Sequence, residues 1–421
     1  MTDRPQKGLK ALIANRRMAA VLLLGFSSGF PIAFVAGTLQ AWLKTYHLNI
    51  RLIGMATLLQ LPYLLKFLWA PMLDRFSPPV LGRRRGWILI AQACAVVLIA
   101  AMSFLDPARS VSELAIVALT LAFVGASQDI VIDAYRTDIV TPAERGPAAS
   151  ATQTGYRLAL LVSGAGAFFL ADRIGWPATY RVMAVVMLAC VAFTLFAPEP
   201  TGARPPISLK QAVVEPLREI LARWPLLPLI LLLLLYKLGE ALTLALSTPY
   251  LQDLGFSLTQ IGLASKSFGI GATMVGVIAG GLLVARWGLY RALVVLAFTQ
   301  LVTALPYLFL SLVSRSVTVM FVTVIIQNLG DGMGTAAFTA LLMAMCNIRF
   351  SAFQYALLSS IASVPRVFLG PVAGYIVAEL GGWVALYTTC AIVAIPGILL
   401  LRFLRDRILG IDRDAAGARL A

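Results

Sequence analysis

Residues 127–138 read S-Q-D-I-V-I-D-A-Y-R-T-D, placing four charged side chains at the end of an apolar segment, in a chain with only 13% charged residues. A carboxylate beside hydrocarbon is costly, so an acid inside a membrane segment is a functional candidate by default. Asp129 and Asp133 stand four apart, on one face of a helix, and Arg136 extends the same stripe. Two kinds of chemistry are open to such residues. Ion pairs could lock helices together, or a buried acid could take up and release a proton. The same choice applies to Lys66, Arg157, Lys237, Glu240, Lys266, Asp331 and Arg366, each in an apolar surrounding.

The elements that must hold these charges follow from composition. The chain has 421 residues, is 60% hydrophobic and has a mean hydropathy of +0.87. That predicts an all-α polytopic membrane protein, since each crossing needs roughly 20 apolar residues. A net charge of +15 would suggest nucleic acid in a soluble protein. Here it reads as cytoplasmic Lys and Arg, and no nucleic-acid partner is expected. Cys94, Cys190, Cys346 and Cys390 are too scattered for a redox or metal motif, and His47 sits in a short polar turn. No cleavable leader is expected, because the first apolar run is longer than a leader's core and more of the same follows.

Hydropathy predicts twelve spans, near 18–43, 52–73, 87–105, 113–135, 147–171, 178–197, 226–250, 259–285, 291–313, 318–345, 355–379 and 384–404. Short connections make neighbours antiparallel. With both termini inside, the inner segments carry 23 Lys and Arg and the outer turns 6, which predicts an N-in, C-in topology. The chain then divides into a tail 1–17, a six-helix bundle 18–197, a cytoplasmic linker 198–225, a second bundle 226–404 and a tail 405–421. In the linker, Ser208 and Gln211 resemble a capping box. Leu209, Val213, Leu217 and Ile220 form an apolar stripe, predicting an interfacial amphipathic helix bent or interrupted at Pro216, with a tethering role.

The halves look related. Ile53-Gly54-Met55-Ala56 and Ile261-Gly262-Leu263-Ala264 open the second and eighth helices, and Arg157 and Arg366 lie in the fifth and eleventh. Two parallel six-helix repeats joined by an inner linker are the outline of the major facilitator fold. Leu73-Asp74-Arg75 with Gly82-Arg83-Arg84-Arg85 resembles that superfamily's inner-loop motif. The matching loop at 285–291 keeps arginines but lacks the aspartate. Asp74, Arg75, Asp133 and Arg136 are therefore the candidate inner gate, one-sided in its acid.

Depth along a helix suggests partners. Asp129, Arg157 and Lys66 lie roughly 13, 15 and 11 Å from their inner helix ends, in one layer. Lys66 and Arg157 are thus both possible partners of Asp129. In the second half, Lys237 and Glu240 share a face, and depth suggests Glu240–Lys266 and Asp331–Arg366 pairs. Asp129, Glu240 and Asp331 are the candidate proton-coupling acids, and helix locking stays open beside that reading for every charge. Gly25 and Gly29 form a close-packing face in the first helix. Pro31 frees a carbonyl there, which makes the segment a candidate substrate wall. Gly330, Gly332 and Gly334 offer the same two readings in the tenth. Gln40, Trp42, Gln60, Tyr63, Gln128, Tyr156, Tyr236, Gln327 and Asn328 are of sugar-binding type, although Tyr and Trp also serve as interface belts.

Several stretches are specific. S-Q-D-I-V-I-D-A-Y-R-T-D, G-T-L-Q-A-W, K-F-L-W-A-P-M-L-D-R, L-Y-K-L-G-E, G-M-G-T-A-A-F-T-A-L-L-M-A-M-C-N, F-S-A-F-Q-Y-A-L-L-S and R-V-F-L-G-P-V-A-G resemble, in the same order over about residues 20–400, the bacterial AmpG-type muropeptide permeases. The resemblance implies a multi-pass transporter of the inner membrane. It would import N-acetylglucosaminyl-1,6-anhydro-N-acetylmuramic acid and its peptide-bearing forms for cell-wall recycling and, in some bacteria, β-lactamase induction. The proton gradient would be the energy source, with no cofactor or metal, and the protein would be a monomer in lipid. Gln40, Gln60, Tyr63, Lys66, Gln128, Tyr156, Arg157, Lys237, Lys266, Gln327, Asn328 and Arg366 are then the candidate substrate-binding residues. A transporter of another anionic solute, such as a coenzyme A thioester, and a drug or metabolite exporter are the alternatives. An enzyme is not expected, for want of a nucleophile elbow, metal cluster or histidine constellation.

Overall fold

A computed structural model describes residues 16–76, 78, 81–140, 145–200, 209–313, 315–347 and 351–410, and every regular element among them is helical. Eleven helices are long and apolar enough to cross a membrane. They are α1 (Arg16–Thr45), α2 (Ile50–Leu68), α3 (Arg83–Met102), α4 (Val111–Ile139), α5 (Ser150–Phe196), α7 (Leu226–Asp253), α8 (Leu258–Trp287), α9 (Leu289–Leu312), α10 (Val317–Met345), α11 (Gln354–Glu379) and α12 (Gly382–Phe403). The linker helix, Leu209–Arg223, is α6.

The expected fifth and sixth spans both fall within α5, which has 47 residues. Its continuity is nominal. Gly175 has φ 75° and ψ 167°, a conformation open to glycine, and Trp176-Pro177 follows. In α1 the backbone tightens to a 3-10 turn at Pro31–Val35, where proline removes a donor. Asn49, Ser257 and Ser316 cap α2, α8 and α10, and Ser257 with Gln260 forms a full capping box.

The chain divides into two compact units, Met1–Tyr46 with Leu59–Pro205, and His47–Leu58 with Pro206–Ala421. The expected bundle boundary at 197–226 is close to this division, but residues 47–58 of α2 group with the second unit.

In unit 1, α1 and α5 approach backbone to backbone. A Cβ on Gly25 would stand 2.5 Å from the Thr152 carbonyl oxygen, and one on Gly29 would meet the Tyr156 carbonyl and ring. The expected close-packing face is therefore present. A buried polar network ties four helices together. Gln92 Nε2 donates to Ser27 Oγ (2.7 Å), Thr194 Oγ1 donates to Gln92 Oε1 (2.8 Å), and Gln128 Nε2 donates to the Ser27 carbonyl (2.6 Å). In a bilayer such groups have no water to turn to, so pairing them fixes helix register.

Unit 2 is built similarly. Gly276 and Gly280 of α8 lie against the backbone of Leu329 and Met333, and Gly332 of α10 lies against Thr273. The start of α2 belongs here: Thr57 Oγ1 donates to the Val367 carbonyl of α11 (2.7 Å), and Arg51 pairs with Glu379.

The linker helix is more than a tether, and Pro216 lies inside a continuous Leu209–Arg223 helix, not at a break. Ile220 on it and Trp224 just beyond it are buried in the core formed with α7, α9, α10 and α12. Ser208 and the side chains of Leu209, Gln211 and Val213 lie outside the described residues, so the expected capping box and half of the apolar stripe do too.

Candidate functional site

Unit 1 carries its deep acid on α4. Asp129 pairs with Lys66 of α2, and the Ser28 hydroxyl of α1 donates to its other oxygen. One of the two expected partners is thus in place. Arg157 is the other, and it makes no ion pair or hydrogen bond among the described residues. It stands half-buried on α5. Lys66 Nζ also lies 4.0 Å from Asp133, which Arg136 meets at 3.4 Å, one turn along α4.

A second cluster forms where α3 begins and α4 ends. Arg84 Nε donates to Asp138 Oδ2 at 2.6 Å, with Arg83 at 3.8 Å. Glu199 accepts from the backbone N–H groups of Arg84 and Arg85 at 3.1 and 3.2 Å, so it closes the N-terminus of α3, whose own N-cap is a glycine. The side chains of Asp74 and Arg75, half of the expected inner gate, lie outside the described ones.

Unit 2 corrects both expected ion pairs. Glu240 meets Lys237, not Lys266: Lys237 Nζ is 2.6 Å from Glu240 Oε2, within α7 itself. Asp331 of α10 meets the same ammonium at 4.0 Å rather than Arg366, and Thr335 bridges the group, accepting from Lys237 at 2.9 Å. All three charged side chains are 15–18% exposed. Depth put these residues in one layer. It carried no information on which way around each helix they face, and the three-residue step from Lys237 to Glu240 is shorter than any crossing. Lys266 sits in a π-helical stretch, Gly262–Phe268, a form common at functional sites.

The candidate sugar-type residues divide by burial. Gln40, Gln60, Gln128 and Gln327 are buried, Gln128 completely. Trp42 is enclosed with Trp176 and Tyr180 in an aromatic cluster. Tyr236 stacks on Phe338 at 4.9 Å. Tyr63, Tyr156 and Asn328 are half-buried, and Asn328 accepts from Thr273. The Tyr63 hydroxyl and Gln327 Oε1 are buried with no hydrogen-bond partner among the described residues. Sequence reasoning missed Ser28, Gln92, Thr335, Glu199 and Glu219.

Ion pairs between charges in apolar helices thus recur in both units. The profile of the Major Facilitator Superfamily matches residues 21–368 and 238–417. This chain belongs to that superfamily. Within it, the chain is 44% identical over 395 residues to the anhydromuropeptide permease of Escherichia coli K12, covering 93% of this chain and 80% of the relative. It therefore belongs with the permeases that its motifs resemble. A Haemophilus influenzae protein of uncharacterised function is 35% identical, over 93% of this chain and 95% of its own. Solved facilitators share the fold. A peptide transporter in complex with sulfate superposes with a TM-score of 0.72 at 14% identity, covering 97% of both chains. A D-xylose–proton symporter does so at 0.69 and 13%, covering 92% and 96%.

Proposed function

We propose that this facilitator imports 1,6-anhydromuropeptides, with and without their stem peptides, across the bacterial inner membrane by proton symport. The observation that carries the substrate is the 44% identity to an anhydromuropeptide permease along nearly the whole chain. Twelve crossings with both termini inside fit α5 best. Its 47 residues would reach about 70 Å if straight, against a hydrocarbon core of about 30 Å, so the turn at Gly175 would separate two crossings. The surplus of Lys and Arg in the inner segments supports this orientation.

For coupling, the favoured site is the group of Glu240, Asp331 and Lys237. Two carboxylates around one ammonium carry a surplus negative charge in a poorly hydrated place, and one bound proton cancels it. Asp129, by contrast, has a cation of its own in Lys66, which supports a locking role. Release of the proton on one side and capture on the other would bias alternating access between the halves. Asp133 and Arg136, with Asp74 and Arg75, are the proposed inner gate. The protein would work as a monomer in lipid and need no metal or cofactor.

Uptake of labelled GlcNAc-anhydroMurNAc into energised vesicles tests the reading. Accumulation should collapse on adding an uncoupler and should be inhibited by unlabelled disaccharide-peptide. Uptake that persists uncoupled would refute symport, and absence of any uptake would refute the substrate.

A further inference from the structure

A single hydroxyl stands between the charges of the unit 2 group. On α10, Asp331, Thr335 and Phe338 follow at steps of four and three, so they share one face of the helix. The α7 residues that meet this face are Tyr236, Lys237 and Glu240. Tyr236 stacks on Phe338 with ring centroids 4.9 Å apart and 11° between the planes, and its hydroxyl stands 3.5 Å from the Gly334 carbonyl. Lys237 Nζ lies 5.8 Å from the centre of the Phe338 ring. These contacts hold α7 and α10 in a rotation that brings Thr335 to the ammonium.

Distances rank the oxygens around Lys237 Nζ. Glu240 Oε2 is at 2.6 Å, Thr335 Oγ1 at 2.9 Å and Asp331 Oδ1 at 4.0 Å. The last is beyond hydrogen-bond length, so Asp331 meets the ammonium through charge alone. Thr335 Oγ1 is 3.4 Å from that same Asp331 oxygen, nearer than the ammonium is. A hydroxyl has one hydrogen and two lone pairs, whereas an ammonium only donates. Thr335 must therefore accept from Lys237, and its own hydrogen is turned to Asp331. That direction favours an ionised Asp331, which accepts, over a protonated one, which has to donate.

Few other titratable groups face this one. Tyr236 comes from α7, and Cys390 of α12 borders a small cavity with Glu240. α9 presents Ala297 and Thr303, neither of them titratable. Lys266 of α8 and Arg366 of α11 make no ion pair or hydrogen bond with the group among the described residues.

We propose that Thr335 is a positioning residue of the proton-coupling group: its hydroxyl extends the hold of Lys237 to Asp331 and so sets how tightly the group keeps its proton. The proposal rests on the reading of Glu240, Asp331 and Lys237 as that group, whose proton belongs to the pair of acids together. Glu240 bonds the ammonium directly and has no need of the hydroxyl, whereas Asp331 relies on it. Without the hydroxyl, the ionised group loses support and releases its proton less readily. Thr335 thus acts on turnover and on proton dependence, not on recognition of the sugar.

The test compares Thr335→Val, which keeps the shape, with Thr335→Ser, which keeps the hydroxyl, in the full chain. Uptake of labelled GlcNAc-anhydroMurNAc into proteoliposomes is followed against external pH. In Thr335→Val the pH of half-maximal uptake is expected to rise by about one unit, the tenfold change that loss of one hydrogen bond to a charge brings. Its kcat should fall while KM for the disaccharide stays near the wild-type value. Thr335→Ser should return both toward wild type. A threonine that only packs would change Tm and yield and leave the pH profile in place. Gel filtration shows that each variant is folded, and Thr335→Ala serves the same comparison if the valine variant is not.

Infrared titration of the purified chain reads the carboxyl proton without transport. The carboxyl step that is lost in Glu240→Gln/Asp331→Asn should move by about one unit in Thr335→Val and return in Thr335→Ser. A step that stays in place in Thr335→Val, moves as far in Thr335→Ser, or is absent from the wild type overturns the proposal. Uptake that ignores an uncoupler while the step moves as expected overturns the coupling reading instead, and supports Thr335 as the residue that sets proton binding.

Discussion

Lys237 and Glu240 meet at 2.6 Å one turn apart on α7, and this local contact decides how the rest of the charge in unit 2 is arranged. With Glu240 satisfied inside its own helix, Asp331 closes on the same ammonium, and Lys266 and Arg366 have no acid partner among the described residues. Lys237→Ala would strand two carboxylates in a poorly hydrated site. Loss of one member of such a group costs about 3–5 kcal/mol. The expected result is a marked fall in Tm and loss of uptake, with Tm recovered in part in Lys237→Ala/Glu240→Gln, which still strands Asp331, and uptake still absent. A thermal-stability assay alongside transport checks both arms.

Lys66 and Asp129 make the corresponding test in unit 1. Asp129→Asn leaves Lys66 beside a neutral amide and should reduce uptake more than about tenfold. Lys66→Ala/Asp129→Ala should be more stable than either single variant, because it removes both charges. Coupling is read separately, by the proton-to-substrate ratio. A defect confined to stability and turnover agrees with a lock. A ratio that falls to zero in Asp129→Asn while transport continues would return the coupling role to this residue.

The α1–α5 contact predicts a sharp asymmetry among glycines. A Cβ on Gly155 would press on the Leu22 carbonyl and stand 2.7 Å from the Phe26 nitrogen, so Gly155→Val must push two backbones apart. A loss of about 1–3 kcal/mol or more is expected, seen as a lower Tm and poor membrane yield. Gly281 on α8 has nothing within 4 Å of its would-be Cβ. Gly281→Ala should be neutral or stabilise by about 0.5–1 kcal/mol through helix propensity.

The docked linker predicts a pH dependence. Burial acts to raise the Glu219 carboxyl, but hydrogen bonds from Asn347, Arg223 and Gln354 outweigh it and hold the group below its ordinary range. A depressed folded value means that the contribution is complete above the unfolded carboxyl range and is lost as pH falls through the folded one. Wild-type Tm should therefore decline more steeply than that of Glu219→Gln once pH drops below about 4. Parallel melting curves between neutral and acid pH check it. The hydrogen bonds themselves tie the linker to both sides of the loop between α10 and α11. Gln354 Nε2 reaches Glu219 at 2.5 Å and the Pro216 carbonyl at 3.0 Å, and Asn347 Nδ2 reaches Glu219 at 2.8 Å.

Much of the architecture was legible beforehand, and particular residues show why. Apolar length marks a span wherever the chain is straight. The expected 147–171 and 178–197 spans fall in one helix, α5, whose non-helical residue is Gly175. The Gly25 and Gly29 spacing foretold a close helix contact, since removing side chains at four-residue intervals serves little else in a membrane. The Lys66–Asp129 pair was legible as one of two options, because both cations occupy the same layer. The Gln92–Ser27–Gln128 network was not, since each of its members is an ordinary polar residue until three helices bring them together.

Composition and periodicity alone therefore determined that this chain is a bundle of membrane helices in two related halves, with a few charges at defined depths. These are consequences of hydrophobic transfer and backbone hydrogen bonding, which act locally along the chain. Only the tertiary structure decided which charge meets which. Rotation about each helix axis and the closeness of each crossing choose partners, and both depend on packing between segments far apart in sequence. Those contacts gave Glu240 and Asp331 one lysine to share, and paired neither with Lys266 or Arg366.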